Sequence, residues 1–226
     1  MRVVDLSYRL RPGMQVYPGS PLYACKPVHS VDKDGYSVHL LSLSSHTGTH
    51  IDVPSHFILN GKTVDQMPLS TFIGPVLVVD VTGKKPREKI VWDDLSRYEH
   101  KMKPGLILFL HTGWSEYWCT QKYYDHPFLD PHAAEKIIQT GIRVVGIDAI
   151  SVDETRVDGT IGKDGFGVHL TILGSDGVIV ENLTNLKALD SGEGYMASVV
   201  PLNLDGVDGS PVRAHAWRHG TFTNTY

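Results

Sequence analysis

Five apolar runs, most of them bounded by glycine, proline or aspartate, punctuate the chain: LLSLS at 40–44, PVLVVDV at 75–81, LILFL at 106–110, RVVGID at 143–148 and VIVENL at 178–183. Their shortness and their valine and isoleucine content predict strands. Between them the pattern turns helical. In DPHAAEKIIQTG, Asp130 stands as N-cap, Pro131 at the first helical position and Gly141 past the end, which frames a short helix with Ile137 and Ile138 turned inward. A second helix is expected after Gly167, where VHLTILG ends on Gly174, and a third over DDLSRY. The C-terminal stretch YMASVVPLNLDGVDGSPVRAHAW reads as two strands joined by a turn containing Asp-Gly pairs. With no repeat and no linker-like shift in composition, the pattern predicts one mixed α/β domain over residues 1–226.

Composition narrows the class. The 226 residues are enough for a substantial core, and 41% hydrophobic with 20% charged residues describes a globular chain rather than a disordered one. Net charge is −4, and the one dense cationic stretch, GKKPREK at 83–89, carries no interleaved aromatics. It reads as a solvated loop, which argues against a nucleic-acid partner. No apolar run approaches the ~20 residues of a membrane span, and the first residues lack the pattern of a signal peptide, so no membrane partner and a cytoplasmic location are expected. Cys25 and Cys119 lie far apart without a CxxC spacing, giving neither a disulfide framework nor a thiolate zinc site. The unusual count is twelve histidines, three of which, His46, His50 and His56, fall within eleven residues.

Those three belong to HTGTHIDVPSHF, residues 46–57. If residues 46–53 are extended, period-two alternation puts His46, Gly48, His50 and Asp52 on one face and Thr47, Thr49, Ile51 and Val53 on the other. The second face suits packing. The first carries two imidazoles and a carboxylate, good ligands for zinc or a similar divalent ion. A straight strand separates residues four apart by roughly 13 Å, too far for two ligands of one ion. Gly48 can supply the kink that draws the histidines together. Pro54 then stops the strand, and His56 on the turn beyond it is placed to act as a general base or acid without binding metal.

Elsewhere the signals are weaker. Glu181, inside VIVENL, is costly to bury without a compensating cation, and a metal ion, an arginine partner or an exposed edge would each relieve that cost. His169, taken alone, reads as structural. Asp148 closes a strand where site residues gather in α/β folds, and a carboxylate capping the next turn fits equally. GTIGKDGFG at 159–167 lacks the Gly-Lys-Ser/Thr ending of a phosphate loop.

HTGTHIDVPSHF resembles the HxGTHxDxPxH signature of the cyclase-like metal-dependent hydrolases, the family of bacterial-type kynurenine formamidase and isatin hydrolase. The likeness extends through DLSYRLRPGMQVYPGSP, ILFLHTGW, HLTILGSDGVIVENLTNL and PLNLDGVDGSPVRA. It implies that His46, His50 and Asp52 are metal ligands, that His56 moves protons, and that His169 and Glu181 complete a second metal position. It also implies a swivelling β/β/α fold, one or two Zn2+ or Mn2+ ions per chain, and a homo-oligomer, dimer or tetramer. One departure concerns substrate: kynurenine formamidases of this type carry a substrate-contacting tryptophan before the Pro-Gly of the N-terminal segment, where this chain has Tyr17.

The expected activity is hydrolysis of an amide, cyclic amide or ester-like bond in a small, aromatic substrate. A metal ion would acidify water and polarise the carbonyl, with His56 relaying the proton. Two alternatives stand beside it: a lyase or cyclase on the same metal site, and a metal- or ligand-binding protein without catalysis. An intact His56 argues against the last.

Overall fold

The computed structural model describes residues 3–189 and 194–218. Its elements, in chain order, are β1 (Val3–Asp5), β2 (Ala24–His29), α1 (Val31–Asp34), β3 (Val38–Ser42), β4 (His50–Asp52), β5 (Ile73–Asp80), β6 (Lys89–Ile90), α2 (Trp92–Leu95), β7 (Ile107–His111), β8 (Phe128–Leu129), α3 (Pro131–Gln139), β9 (Val144–Ile147), α4 (Gly167–Leu173), β10 (Val178–Glu181), β11 (Tyr195–Ser198), β12 (Gly209–Pro211) and β13 (His215–Arg218), with short 3-10 turns between them. Nine strands form one mixed sheet in the order β1-β13-β11-β5-β7-β9-β10-β4-β12. β5, β7, β9 and β10 run parallel at its centre, and antiparallel strands flank them.

The central strands are apolar on both faces, as parallel strands covered on both sides must be. Leu77, Val79, Leu108, Leu110, Val145, Ile147 and Ile179 face Ala133, Ala134 and Ile137 of α3 and Ile172 of α4. Their neighbours in sequence, Val76, Ile107, Phe109, Val144, Val178 and Val180, face the opposite way, against Ile51, Val53, Phe72, Ala197 and Ala216. Burying each of the valine, leucine, isoleucine and phenylalanine side chains among them contributes about 1.5–3 kcal/mol. The second layer fits inside the curl of the sheet. Although β12 and β13 sit at opposite ends of the strand order, only three residues separate them, and Leu6, just past β1, donates its N–H to the carbonyl of Ala214 between them (2.9 Å). The segment 209–218 therefore ties one edge of the sheet to the other.

α3 starts as expected, with the Asp130 carboxylate accepting the N–H of His132 at 3.0 Å and Pro131 in the first turn. Ile137 is fully buried and Ile138 partly so, against the same core. The third expected helix is shorter, a single turn at α2 continuing as a 3-10 segment over Ser96–Lys101. Two readings need correction. The extended stretch expected over 46–53 is a strand only at β4, because Gly48 takes a left-handed conformation (φ 66°) and turns the chain before it. The C-terminal pair of strands is three: β11 pairs with β13 and β5, while β12 crosses to β4, so the Asp-Gly turn connects different parts of the sheet. The run at 40–44 overlaps the end of β3 and continues two residues past it; β3 pairs only with β2 outside the main sheet and is exposed along its length.

Candidate metal centre

Register brings the first residues together. β10 and β4 are antiparallel, with Glu181 opposite His50 and Ile179 opposite Asp52, so His50, Asp52 and Glu181 project from the same face of the sheet. That face carries α4, and with it His169. His50 Nε2 lies 3.4 Å from Asp52 Oδ1 and 3.5 Å from Glu181 Oε2; His169 Nε2 lies 3.6 Å from Asp52 Oδ2 and 3.5 Å from Glu181 Oε1. All four residues are buried. His46, on the turn that Gly48 makes, reaches Asp52 Oδ1 with Nδ1 at 2.7 Å. His56 follows Pro54 in a 3-10 turn, and its ring centroid is 4.0 Å from that of His46.

The outward nitrogens decide which way each imidazole faces. His50 Nδ1 is 2.8 Å from the carbonyl of Gly48, which can only accept, so that nitrogen carries the proton and Nε2 presents its lone pair. His169 Nδ1 sits 2.6 Å from Asp153 Oδ2, and Asp153 also receives the N–H groups of Val168 and His169 at 3.0 Å each. His46 Nε2 lies 2.9 Å from Asp208 Oδ2. Each histidine thus has one nitrogen on an outer acceptor and the other turned toward Asp52 or Glu181. Supports of this kind orient imidazoles that bind metals.

Charge points the same way. Burial disfavours a charged His46, yet its hydrogen bonds to Asp208 and Asp52 raise its pKa to about 10. Burial likewise opposes charge on His169, and Asp153, Asp52 and Glu181 together pull its pKa well above the usual histidine range. Burial raises Asp52, but the field of His50 and the contacts of His169 and His46 hold it well below the usual carboxylate range. The cluster demands positive charge, which a divalent cation satisfies. His50 Nε2 and Asp52 Oδ2 are moreover buried without a hydrogen-bond partner. Two triads, His50 with Asp52 and Glu181 and His46 with Asp52 and His56, hold their donor atoms within 4.8 Å of one another. The donor set of imidazoles and carboxylates fits zinc or manganese.

Above the cluster opens a cleft of about 230 Å³. Tyr17, Phe57, Phe166 and Ile150 wall it, and His46, His50, His56, His169 and Glu181 line it. Burial, followed by the nearby charge of Glu181, raises the pKa of the Tyr17 phenol. Tyr17, His46, His50, Asp52, His56, His169 and Glu181 therefore meet in one place. Two carboxylates that meet these histidines carry no such signal in the sequence. Asp153 follows the strand β9 with no spacing to mark it, and Asp208 lies in the Asp-Gly stretch read only as a turn. Asp148 is a structural carboxylate: buried, it accepts from Thr112 N–H (2.7 Å), Thr112 Oγ1 (2.6 Å) and Gly113 N–H (3.0 Å), capping the turn after β7.

The relatives of this chain agree in length, sequence and fold. The family model described as "Putative cyclase" matches residues 4–154. A kynurenine formamidase of Geobacillus thermodenitrificans is 30% identical over 217 residues, 93% of this chain and 95% of the relative. One of Bacillus thuringiensis is 31% identical over 221 residues with the same coverage. Isatin hydrolase A from Labrenzia aggregata, solved with benzyl benzoate bound, superposes with a TM-score of 0.85 at 25% identity over 95% of this chain and 93% of that one. A structure described as a potential metal-dependent hydrolase with cyclase activity gives 0.76 at 28% identity over 95% and 96%. With the HTGTHIDVPSHF segment folded around a cluster suited to a metal, and a match that runs nearly end to end, this chain belongs to the putative cyclase family.

Proposed function

We propose that the chain is a metal-dependent hydrolase that cleaves an amide C–N bond, open or cyclic, in a small aromatic substrate. One observation carries the reading: Nε2 of His50 and Nε2 of His169 converge with the carboxylates of Asp52 and Glu181, at 3.4–3.6 Å, on the floor of a cleft walled by aromatic side chains. The relatives' names, formamidase and isatin hydrolase, support an amide as the bond.

His46, His50, Asp52, His169 and Glu181 would hold one or two Zn2+ or Mn2+ ions. Such an ion, when bound, acidifies water and polarises a carbonyl oxygen. The remaining work falls to the chain's own groups. His56, with Nδ1 occupied by Asp208 (3.0 Å), has Nε2 left to take a proton from the attacking water and return it to the departing nitrogen. Tyr17, Phe57 and Phe166 hold a flat ring and keep bulk water from it. We also propose that the protein works as a homo-oligomer.

Metal analysis of purified protein, joined to an activity screen over aryl formamides, lactams, lactones and aryl esters, tests the reading. At least one ion per chain is expected, with turnover of a formamide or lactam that chelation removes and zinc or manganese restores. His50→Ala and Asp52→Ala should each lose most of the metal. In His169→Ala, a fall from about two ions to about one supports a pair. Protein that holds no metal, and gains no melting temperature when zinc or manganese is added, overturns the proposal.

A further inference from the structure

Asp208 stands between the cluster and the proton carrier. A single oxygen, Oδ2, lies 2.9 Å from His46 Nε2 and 3.0 Å from His56 Nδ1, while Oδ1 accepts the hydroxyl of Ser45 at 2.9 Å. Its backbone is pinned as well, since the Asp208 carbonyl takes the N–H of Val53, just past β4, at 3.1 Å. The carboxylate is thus fixed relative to both histidines from two directions. An ionised carboxylate is an acceptor only, so each imidazole must turn an N–H toward it. That leaves His46 Nδ1, which faces Asp52, as the nitrogen whose proton a cation would replace, and the lone pair of His56 on Nε2, the nitrogen left for the cleft it lines.

We infer that Asp208 is a positioning residue with two clients: it sets the tautomer and orientation of His46 as a metal ligand and of His56 as the proton carrier, and so ties cation binding to proton transfer through one oxygen. This rests on the hydrolase reading above. Without Asp208, either ring can rotate or exchange tautomers, and each would then present an N–H where a lone pair is required. An amide is a weaker anchor for the two bonds. The side chain introduced by Asp208→Asn keeps an oxygen for the Oδ2 position but not its charge, so it holds both N–H groups more weakly, and turned the other way it sets an NH2 group against them.

The test is a double-mutant cycle on the metal-loaded enzyme, using Asp208→Asn and His56→Asn with an aryl formamide or lactam that the wild type turns over. Asp208 has a side chain 38% exposed, and its link to Val53 is through the backbone, so the amide can be accommodated without loss of the fold. Asp208→Asn alone should lower kcat by roughly 10- to 100-fold with little change in KM, and weaken zinc or manganese binding to stripped protein by a similar factor. Asp208→Glu should recover part of both losses. In the His56→Asn background at saturating metal, Asp208→Asn should cost less than about 3-fold more in kcat, because its client is already gone. The same full loss of kcat in both backgrounds would overturn the His56 half of the inference. Unchanged metal affinity in Asp208→Asn would overturn the His46 half. A wild type inactive on every amide would instead fail the hydrolase reading, and the affinity measurement would still decide the His46 half.

Discussion

Gly48 shows what a single residue contributes to this site. Its left-handed φ of 66° turns His46 back onto Asp52, and a β-carbon there would also collide with the Leu10 side chain. The functional separation of the histidines that follow can be measured. His56→Asn is expected to keep its metal and lose turnover by on the order of 10² to 10⁴, the range of a general acid–base group. Metal lost in proportion to activity would make His56 a ligand instead. Tyr17→Ala should raise KM for an aromatic substrate more than it lowers kcat, because a stacked ring is held alike in ground and transition states. An unchanged KM with reduced kcat would remove Tyr17 from substrate binding. At this scale the histidine cluster was legible because its members are close in sequence and His50 and Asp52 alternate onto one face of β4, although His46 joins them through the turn at Gly48. Asp153 and Asp208 were not, since they meet His169 and His56 from 16 and 152 residues away, and a lone aspartate in a loop looks like any solvated carboxylate.

Among the elements, the strands β5, β7, β9 and β10 follow from their apolar runs, and α3 from its cap and proline. The hairpin of β2 and β3 does not, because the same apolar run that signals a core strand is here left outside. Val38 and Leu40 point one way and Leu41 the other, and all are exposed. A two-stranded hairpin alone is marginal in water. The large apolar side chains from Leu22 to Leu41 offer on the order of 700 Å² between them, close to the ~800 Å² that one partner brings to a standard interface. Its charges balance, Lys26 and Lys33 against Asp32 and Asp34, so the surface has no sign with which to draw in a charged partner. A second copy of this chain is the expected cover. Leu40→Lys combined with Leu41→Lys should move the protein toward monomer in light scattering coupled to size exclusion, with the circular dichroism of the body retained. A wild type that is monomeric at tens of micromolar refutes it.

For the whole molecule, one buried histidine sets a pH limit apart from the metal. His126 donates from Nδ1 to the carbonyl of Pro127 (2.8 Å), so its Nε2 accepts the hydroxyl of Thr155 (2.9 Å), and burial pushes its pKa down from 6.5 to about 4. The unfolded chain takes up a proton near pH 6.5 that the folded chain refuses until about 4. Stability is therefore full above pH 6.5, declines as the pH falls from there, and the decline levels off near 4 after a loss of about 3 kcal/mol. Urea midpoints at neutral pH and near pH 4.5 should show a smaller acid loss in His126→Gln than in wild type, although the variant starts less stable. Parallel losses would acquit His126.

The closure of the sheet by residues 209–218 also sets an order of events. β12 and β13 pair with strands from the beginning of the chain, β4 and β1, and Asp208 meets His46 across 162 residues. Contacts so distant in sequence form slowly, because a long loop must be closed before they return anything. During synthesis the apolar strands and α3 emerge with their partners already made, but the ribosome must pass Arg218 before either edge of the sheet is joined to the other. The imidazoles at 46 and 56 wait throughout without the carboxylate that orients them. A growing chain thus carries a nearly complete core long before it carries a working centre, and activity arrives as the last consequence of folding.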